Sequence, residues 1–259
     1  MRLKTVPSVR YKMSCGRIAG RSHATTETPC QDYVATQKTQ SSACIALADG
    51  AGSRAHSGLG AEVAVKATLR VLSRQFDELY AAALSTPGTV NMLILDRCLA
   101  AMGKKAKAAA CAVEELACTL LFVAHKDGRF LAGHLGDGII AAETASGDIE
   151  TLSHPDNGEF ANTTVFVTDE SAIARFRVYA GECATPAFAI MSDGTAESLY
   201  VRATGKPAVA ALQKIFQWNR TLPKAKVDGI LMANLEQVFS KKSADDCSIG
   251  LLTLTKTQL

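Results

Sequence analysis

Five aspartates could do chemistry together. Asp49 closes the apolar run 44–48 and is followed by Gly50; Asp193 follows the run 188–191 in FAIMSDG; Asp137 follows 130–135 in FLAGHLGDG. An acid at the end of a buried strand, beside a glycine that lets backbone approach a ligand, is how a fold presents a carboxylate to a hard cation. Asp32, at the end of the polar stretch GRSHATTETPCQ, and Asp245, in Ser243-Ala244-Asp245-Asp246, occupy comparable junctions. Carboxylates gathered at one end of a sheet repel one another unless cations neutralise them. A ligand set of oxygens, without a histidine–cysteine cluster, suits magnesium or manganese better than zinc. Asp127-Gly128 and Asp228-Gly229 lack the setting of the others and read as turn dipeptides.

The elements that must position these acids can be read from periodicity. Residues 9–18 alternate and 32–36 are short and β-prone, with GRSHATTETPCQ a loop between them. Ser57 is placed to cap a helix whose apolar stripe, Val65, Leu69, Leu72, Phe76 and Leu79, recurs at spacings of four and three. Thr86-Pro87-Gly88 breaks it, and a second, antiparallel helix is expected to carry Met92, Leu95, Leu99, Met102, Ala106 and Ala109 on its apolar face. Period-two runs at 118–125, 129–135 and 139–143, separated by glycine turns, predict an antiparallel meander. Strands are expected again at 175–180, 187–191 and 247–254, and helices at 206–218 and 227–239. Runs of strands flanked by long helices, without βαβ alternation, predict an α+β fold with antiparallel sheets.

Composition sets the bounds. A chain of 259 residues, 47% hydrophobic, can bury a large core, and one globular unit spanning 1–259 is expected. The net charge of +3, from 28 basic and 25 acidic residues, argues against a nucleic-acid or anionic-membrane partner. The eight cysteines form no C-x-x-C pair, which fits reduced thiols. The first residues lack the apolar core of a secretory signal, and no run reaches the roughly 18 to 20 apolar residues of a membrane span. A soluble, cytoplasmic protein is expected.

The ordered set CQD (30–32), ALADGAGS (46–53), ACTLLFVA (117–124), HLGDG (134–138), IMSDG (190–194) and DDCSIGLL (245–252) resembles the metal-dependent serine/threonine protein phosphatases of type 2C. DGAGS and the segment GEFANTT (158–164) resemble in particular a short bacterial branch, the protein phosphatase C-like proteins. The likeness spans about residues 14 to 254. It implies a four-layer α-β-β-α sandwich of two antiparallel sheets flanked by helices, with a two-metal centre at one end. Carried over residue by residue, Asp49 would bridge two Mn2+ or Mg2+ ions and Gly50 would offer its carbonyl. Asp193 and Asp245 would hold one ion, and Asp32 would act mainly through metal-bound water. Asp137 matches the acid that helps hold a third, weaker ion in many members. DDCS lies over the family's D-N-x-[ST], so Asp245 is taken as the ligand and Asp246 stands in the place of the asparagine. The implied chemistry is attack of a metal-activated water on a phosphoserine or phosphothreonine, with cations about 3.5 to 4 Å apart holding the phosphate. Asp32, Asp49 and Asp193 would carry it, with a phosphoprotein as substrate and the chain acting as a monomer.

There are departures. Many relatives read D-G-H-G-G, with a histidine proposed to protonate the leaving alcohol, whereas Ala51 and Ser53 stand here. For phosphate binding, His23 matches a histidine of the short branch and Arg21 lies beside it; a purely local hydrogen bond is the other reading of His23. His56, His125, His134 and His154 read as structural or exposed, and Trp218 as core. Two function classes follow. One is an active protein phosphatase; the other is a metal-binding, catalytically impaired relative that recognises phosphoproteins. The presence of every matched metal acid favours the enzyme.

Overall fold

The computed structural model describes residues 9–25, 27–156, 164–184 and 186–256. Two five-stranded sheets, antiparallel at every pairing, carry the fold. The first has the order β1 (Val9–Ile18), β12 (Cys247–Lys256), β9 (Ala187–Met191), β6 (Ile139–Glu143), β7 (Ile149–Ser153). The second has β2 (Tyr33–Lys38), β3 (Ser42–Ala48), β4 (Leu120–Lys126), β5 (Arg129–Leu135), β8 (Arg177–Glu182). A two-stranded ribbon, β10 (Tyr200–Val201) with β11 (Lys206–Pro207), lies apart.

Alternation along the strands builds the layers, because successive side chains point to opposite faces. On β3, Ala43, Ile45 and Leu47 pack toward the other sheet, while Cys44, Ala46 and Ala48 pack toward helices. On β9, Phe188 and Ile190 face the inter-sheet core, whereas Ala187, Ala189 and Met191 face the opposite helices. A strand covered on both sides reads as one apolar run, which is why 44–48 and 188–191 show no polar residues. The outer layers are α2 (Ser57–Ser85) with α3 (Pro87–Ala109) on one side, and α6 (Val209–Thr221) with α7 (Lys224–Asn234) on the other. The result is the α-β-β-α sandwich. Shorter helices are α1 (Arg21–Thr25), α4 (Ala172–Arg175) and α5 (Asp193–Leu199).

Several details depart from the sequence reading. The meander is two hairpins in different sheets: β4–β5 belong to the second, β6–β7 to the first, and the chain crosses over at Gly136-Asp137-Gly138. Ser57 does not cap α2; its hydroxyl donates instead to the Arg54 carbonyl at 3.1 Å. On α3, Met92 and Leu99 point outward, and the buried face is Val90, Ile94, Leu95, Cys98, Met102 and Ala106. The polar loop before Asp32 contains the single turn α1. Residues 206–208 form a ribbon strand and linker ahead of α6, and the last turn of the 227–239 helix widens into a π turn, Leu235–Phe239. Asp127-Gly128 does make the β4–β5 turn, with φ of 49° and 78°, but Asp228-Gly229 lies inside α7. No helix among the described residues is long and apolar enough to cross a membrane, and the cysteines are free thiols.

Candidate metal centre

The five acids meet at one end of the sandwich because each lies where a sheet strand begins or ends. Asp32 immediately precedes β2, Asp49 follows β3, Asp137 sits on the crossover from β5 to β6, Asp193 opens α5 just after β9, and Asp245 precedes β12. Both sheets therefore contribute. Asp49 is set by main-chain pairing with the start of β4: its amide donates to the Thr119 hydroxyl at 2.9 Å, and Gly50 bridges to Cys118. A Cβ at Gly50 would lie 2.8 Å from the Ser57 carbonyl carbon and 2.9 Å from the Gln31 carbonyl oxygen, so only glycine lets this loop nest against α2. Gly194 and Gly20 do the same across the centre: their Cβ atoms would lie 2.2 Å from the Asp246 carbonyl oxygen and 2.3 Å from the Asp245 carbonyl carbon.

The electrostatics record the convergence. Burial, and then the charges of Asp32, Asp193, Asp137 and Asp245, hold the Asp49 carboxyl well above the usual carboxylate range. Burial, followed by the charges of Asp137 and Asp245, pushes Asp193 up to about 6, with partial relief from its neighbours, the Gly194 amide among them. Asp32 is completely buried, and that burial raises it to about 7, further supported by the charge of Asp246. Ser192 and Ser248 lie close enough to offset part of the shift, yet neither meets hydrogen-bond geometry, and both Asp32 carboxylate oxygens lack a partner. Two orphaned buried oxygens, within electrostatic reach of further carboxylates, fit a hard cation and its water. Asp137 accepts from the Thr164 hydroxyl at 2.6 Å, while Asp193 Oδ1 accepts from the Gly194 amide at 2.6 Å.

Sequence reasoning gave Asp246 only the place of an asparagine, and the structure gives it work. Its Oδ1 accepts from the Gly20 amide at 2.7 Å and pairs with His23 Nδ1 at 2.8 Å; its Oδ2 accepts from the Gln31 amide at 2.6 Å. The Asp246 amide in turn donates to Asp245 Oδ1 at 2.8 Å. His23, Asp245 and Asp246 bring potential ligand atoms within 4.8 Å of one another, so a histidine approaches the acids. The Asp246 oxygens are occupied by N–H donors, which makes this acid a tether for the loop carrying His23 and Asp32. Its adjacency to Asp245 was the available signal. Arg21 Nε donates to the Ser243 carbonyl at 3.3 Å, binding the same two loops together. Ala51 is buried, its amide donating to the Ala117 carbonyl at 3.0 Å. His125 and His134 are buried and hydrogen-bonded to Tyr11 and Ser153, and His154 pairs with Tyr200, all structural roles. Of the GEFANTT segment, 158–163 lie outside the described residues.

A four-layer sandwich with acids from both sheets meeting at one end is the architecture of a metal-dependent phosphatase. The comparisons agree: the chain matches the family Protein phosphatase 2C over residues 19–238, and it belongs to that family. It is 28% identical over 244 residues to Serine/threonine-protein phosphatase 3 of Escherichia coli (strain K12), covering 91% of this chain and 93% of that protein. The fold is similar to the catalytic domain of the serine/threonine protein phosphatase PstP in complex with 2 manganese ions, with TM-score 0.63, 14% identity and coverage of 96% and 100%. It is also similar to RsbX in complex with magnesium, with TM-score 0.57, 12% identity and the same coverage. The chain is a metal-dependent protein serine/threonine phosphatase, and the catalytically impaired alternative is not favoured.

Proposed function

We propose that this phosphatase uses two Mn2+ or Mg2+ ions, with a third held more weakly, to hydrolyse phosphoserine and phosphothreonine in cytoplasmic proteins, acting as a single monomeric unit over 1–259. The observation that carries the reading is Asp32: a fully buried carboxylate whose two oxygens have no partner, close enough to Asp49, Asp193 and Asp246 for their charges to act on one another. The two manganese ions in the PstP structure and the magnesium in the RsbX structure support the choice of cations. Asp49, the Gly50 carbonyl, Asp193 and Asp245 are the assigned ligands, with Asp137 assigned to the weaker ion. Divalent cations in such a site supply Lewis acidity, which acidifies water and neutralises phosphate oxygens.

The chain's own groups do the positioning. Asp32 orients the attacking water through its unpartnered oxygens. Asp49, fixed through its backbone, keeps both carboxylate oxygens for ligation. His23 and Arg21, tethered to the Asp245 loop through Asp246 and Ser243, are the assigned phosphate contacts. The test is Asp193→Asn: calorimetric titration with Mn2+ should show weakened binding, and phosphate release from a nitrophenyl ester should fall to background while the circular dichroism stays unchanged. Unchanged manganese affinity would sink the assignment.

A further inference from the structure

A cavity of about 530 Å³ runs between α2 and α3, on the outer face of the second sheet. Six basic side chains line it: Lys66, Arg70 and Arg74 from α2, and Arg97, Lys104 and Lys105 from α3; no acidic residue does. All six are exposed. Lys66 pairs with Glu62, but the other five form no ion pair among the described residues. The groove takes six of the chain's 28 basic residues, leaving 22 against 25 acidic ones, so the whole positive excess of the protein is concentrated here. The walls also present Val63, Ala67, Val71 and Ala101, an apolar surface between the charges.

The groove leads to the acid cluster. Lys66 Nζ lies 5.6 Å from the centre of the Tyr33 ring, and the Arg17 guanidinium lies 4.6 Å from the same centre. Tyr33 directly follows Asp32, and Arg17 donates to the Asp32 carbonyl. Lys66, which lines the groove, and Arg17, which holds the Asp32 backbone, therefore meet over one tyrosine ring.

We propose that this groove docks an acidic segment of the phosphoprotein substrate, on one side of the phosphorylated residue. The inference rests on the phosphatase reading of the acid centre. A concave cleft between two helices, with an apolar floor and charges on both walls, fits one extended polypeptide strand whose acids alternate with apolar side chains. A flat bilayer would touch only its rim. From Ser57, packed against Gly50, α2 rises about 14 Å to Lys66 and about 26 Å to Arg74. At about 3.3 Å per extended residue, the acids of the substrate should sit roughly four to eight residues from the phosphate.

The test compares two phosphoserine peptides, one with four Asp or Glu residues at that distance and one with Ser in their place. The manganese-loaded wild type should show a KM roughly tenfold lower for the acidic peptide, with little change in kcat, since several modest charge pairs add up. R70E/R74E/K104E should abolish that preference while hydrolysing nitrophenyl phosphate at the wild-type rate, which also shows that the variant is folded. Equal KM for the two peptides, or a preference that survives in the variant, would overturn the proposal. So would binding to phosphatidylserine vesicles that the variant loses while peptide kinetics stay unchanged, which would assign the groove to a membrane. Fluorescence anisotropy of the labelled acidic peptide separates the two readings. Groove-dependent binding without turnover of any phosphoester keeps the docking site and rejects the phosphatase centre; turnover without acidic preference does the reverse.

Discussion

Asp49 and Thr119 hold each other through the Asp49 backbone: the Asp49 amide donates to the Thr119 hydroxyl at 2.9 Å, and the Thr119 amide donates to the Asp49 carbonyl at 2.8 Å. The carboxylate is thus placed without spending its own oxygens. A site arranged this way exists before any cation arrives, and the folded protein carries the cost of crowded carboxylates until one does.

That cost gives a pH dependence. Below about pH 4, the ordinary aspartate value, these acids are protonated in both folded and unfolded chains. Above it the unfolded chain loses protons that the folded protein keeps, because Asp193 is raised to about 6 and Asp32 to about 7. Folding stability from these groups is therefore full below about pH 4 and is lost as pH rises through 6 to 7. In chelator, melting at pH 8 should fall at least about 2 to 4 °C below melting at pH 5, and Mn2+ should recover it at pH 8. Asp49→Asn should flatten the slope. A chelated protein that melts higher at pH 8, with the same slope in Asp49→Asn, contradicts this.

Asp246→Asn restores the residue common in relatives yet should destabilise this chain. Three N–H groups, from Gly20, Gln31 and His23, converge on two carboxylate oxygens, and an amide offers only one acceptor atom. At least one buried donor then faces an NH2 group, at a cost of about 1 to 3 kcal/mol. Thermal melts in chelator check the loss. A variant as stable as wild type would mean the tether is dispensable.

Asp137→Ala tests the division of labour among cations. If Asp137 serves only the weaker ion, calorimetry should still show tight manganese binding while turnover drops by at least about tenfold, the loss expected of one withdrawn catalytic group. Disappearance of the tight phase would move Asp137 into the core of the site. Thr164→Val, which removes the hydroxyl held at 2.6 Å, should produce a weaker form of the same phenotype.

Ala51 predicts substrate preference. A nitrophenolate departs unprotonated, whereas a serine alkoxide gains about 10²- to 10⁴-fold from a general acid. Phosphoserine peptides should turn over much more slowly than the aryl ester. Ala51→His should narrow the gap, although the buried position, 6% exposed, makes the larger side chain cost about 1 to 3 kcal/mol in stability. Comparable wild-type rates on both substrates, with a loss on the peptide alone in His23→Ala, would assign proton donation to His23.

Much of this was legible in the sequence, and the limits have physical causes. Asp49, Asp137 and Asp193 were visible because each follows an apolar run, and a strand buried on both faces shows no polar alternation to hide its boundary; Asp32 and Asp245 end polar stretches and were legible only as acids just ahead of a strand. The sheet to which each hairpin belongs was not visible, since Gly136-Asp137-Gly138 looks like any turn and the switch is decided by pairing of β6 with the distant β9. The outward Met92 and Leu99 misled because α3 packs on α2 along Val90, Ile94 and Cys98, and an apolar residue can face solvent on an outer helix. Asp228-Gly229 was misplaced because a local dipeptide preference yields to the packing of Val227 and Leu231. The basic groove escaped notice because its six residues are spread over forty positions of sequence and the net charge averages them away.

The pairing of β1 with β12 puts Val9 opposite Lys256 and Ile18 opposite Cys247, so the first and last strands of the sandwich lie side by side. Chain order is then incidental to the centre. A circular permutant that joins residues 256 and 9 through a short linker, and opens at the Ser146-Gly147-Asp148 turn, would present the acids in the order 193, 245, 32, 49, 137, yet should bind manganese with wild-type affinity. The succession of motifs along the chain records descent, while the centre itself depends only on which strand ends meet.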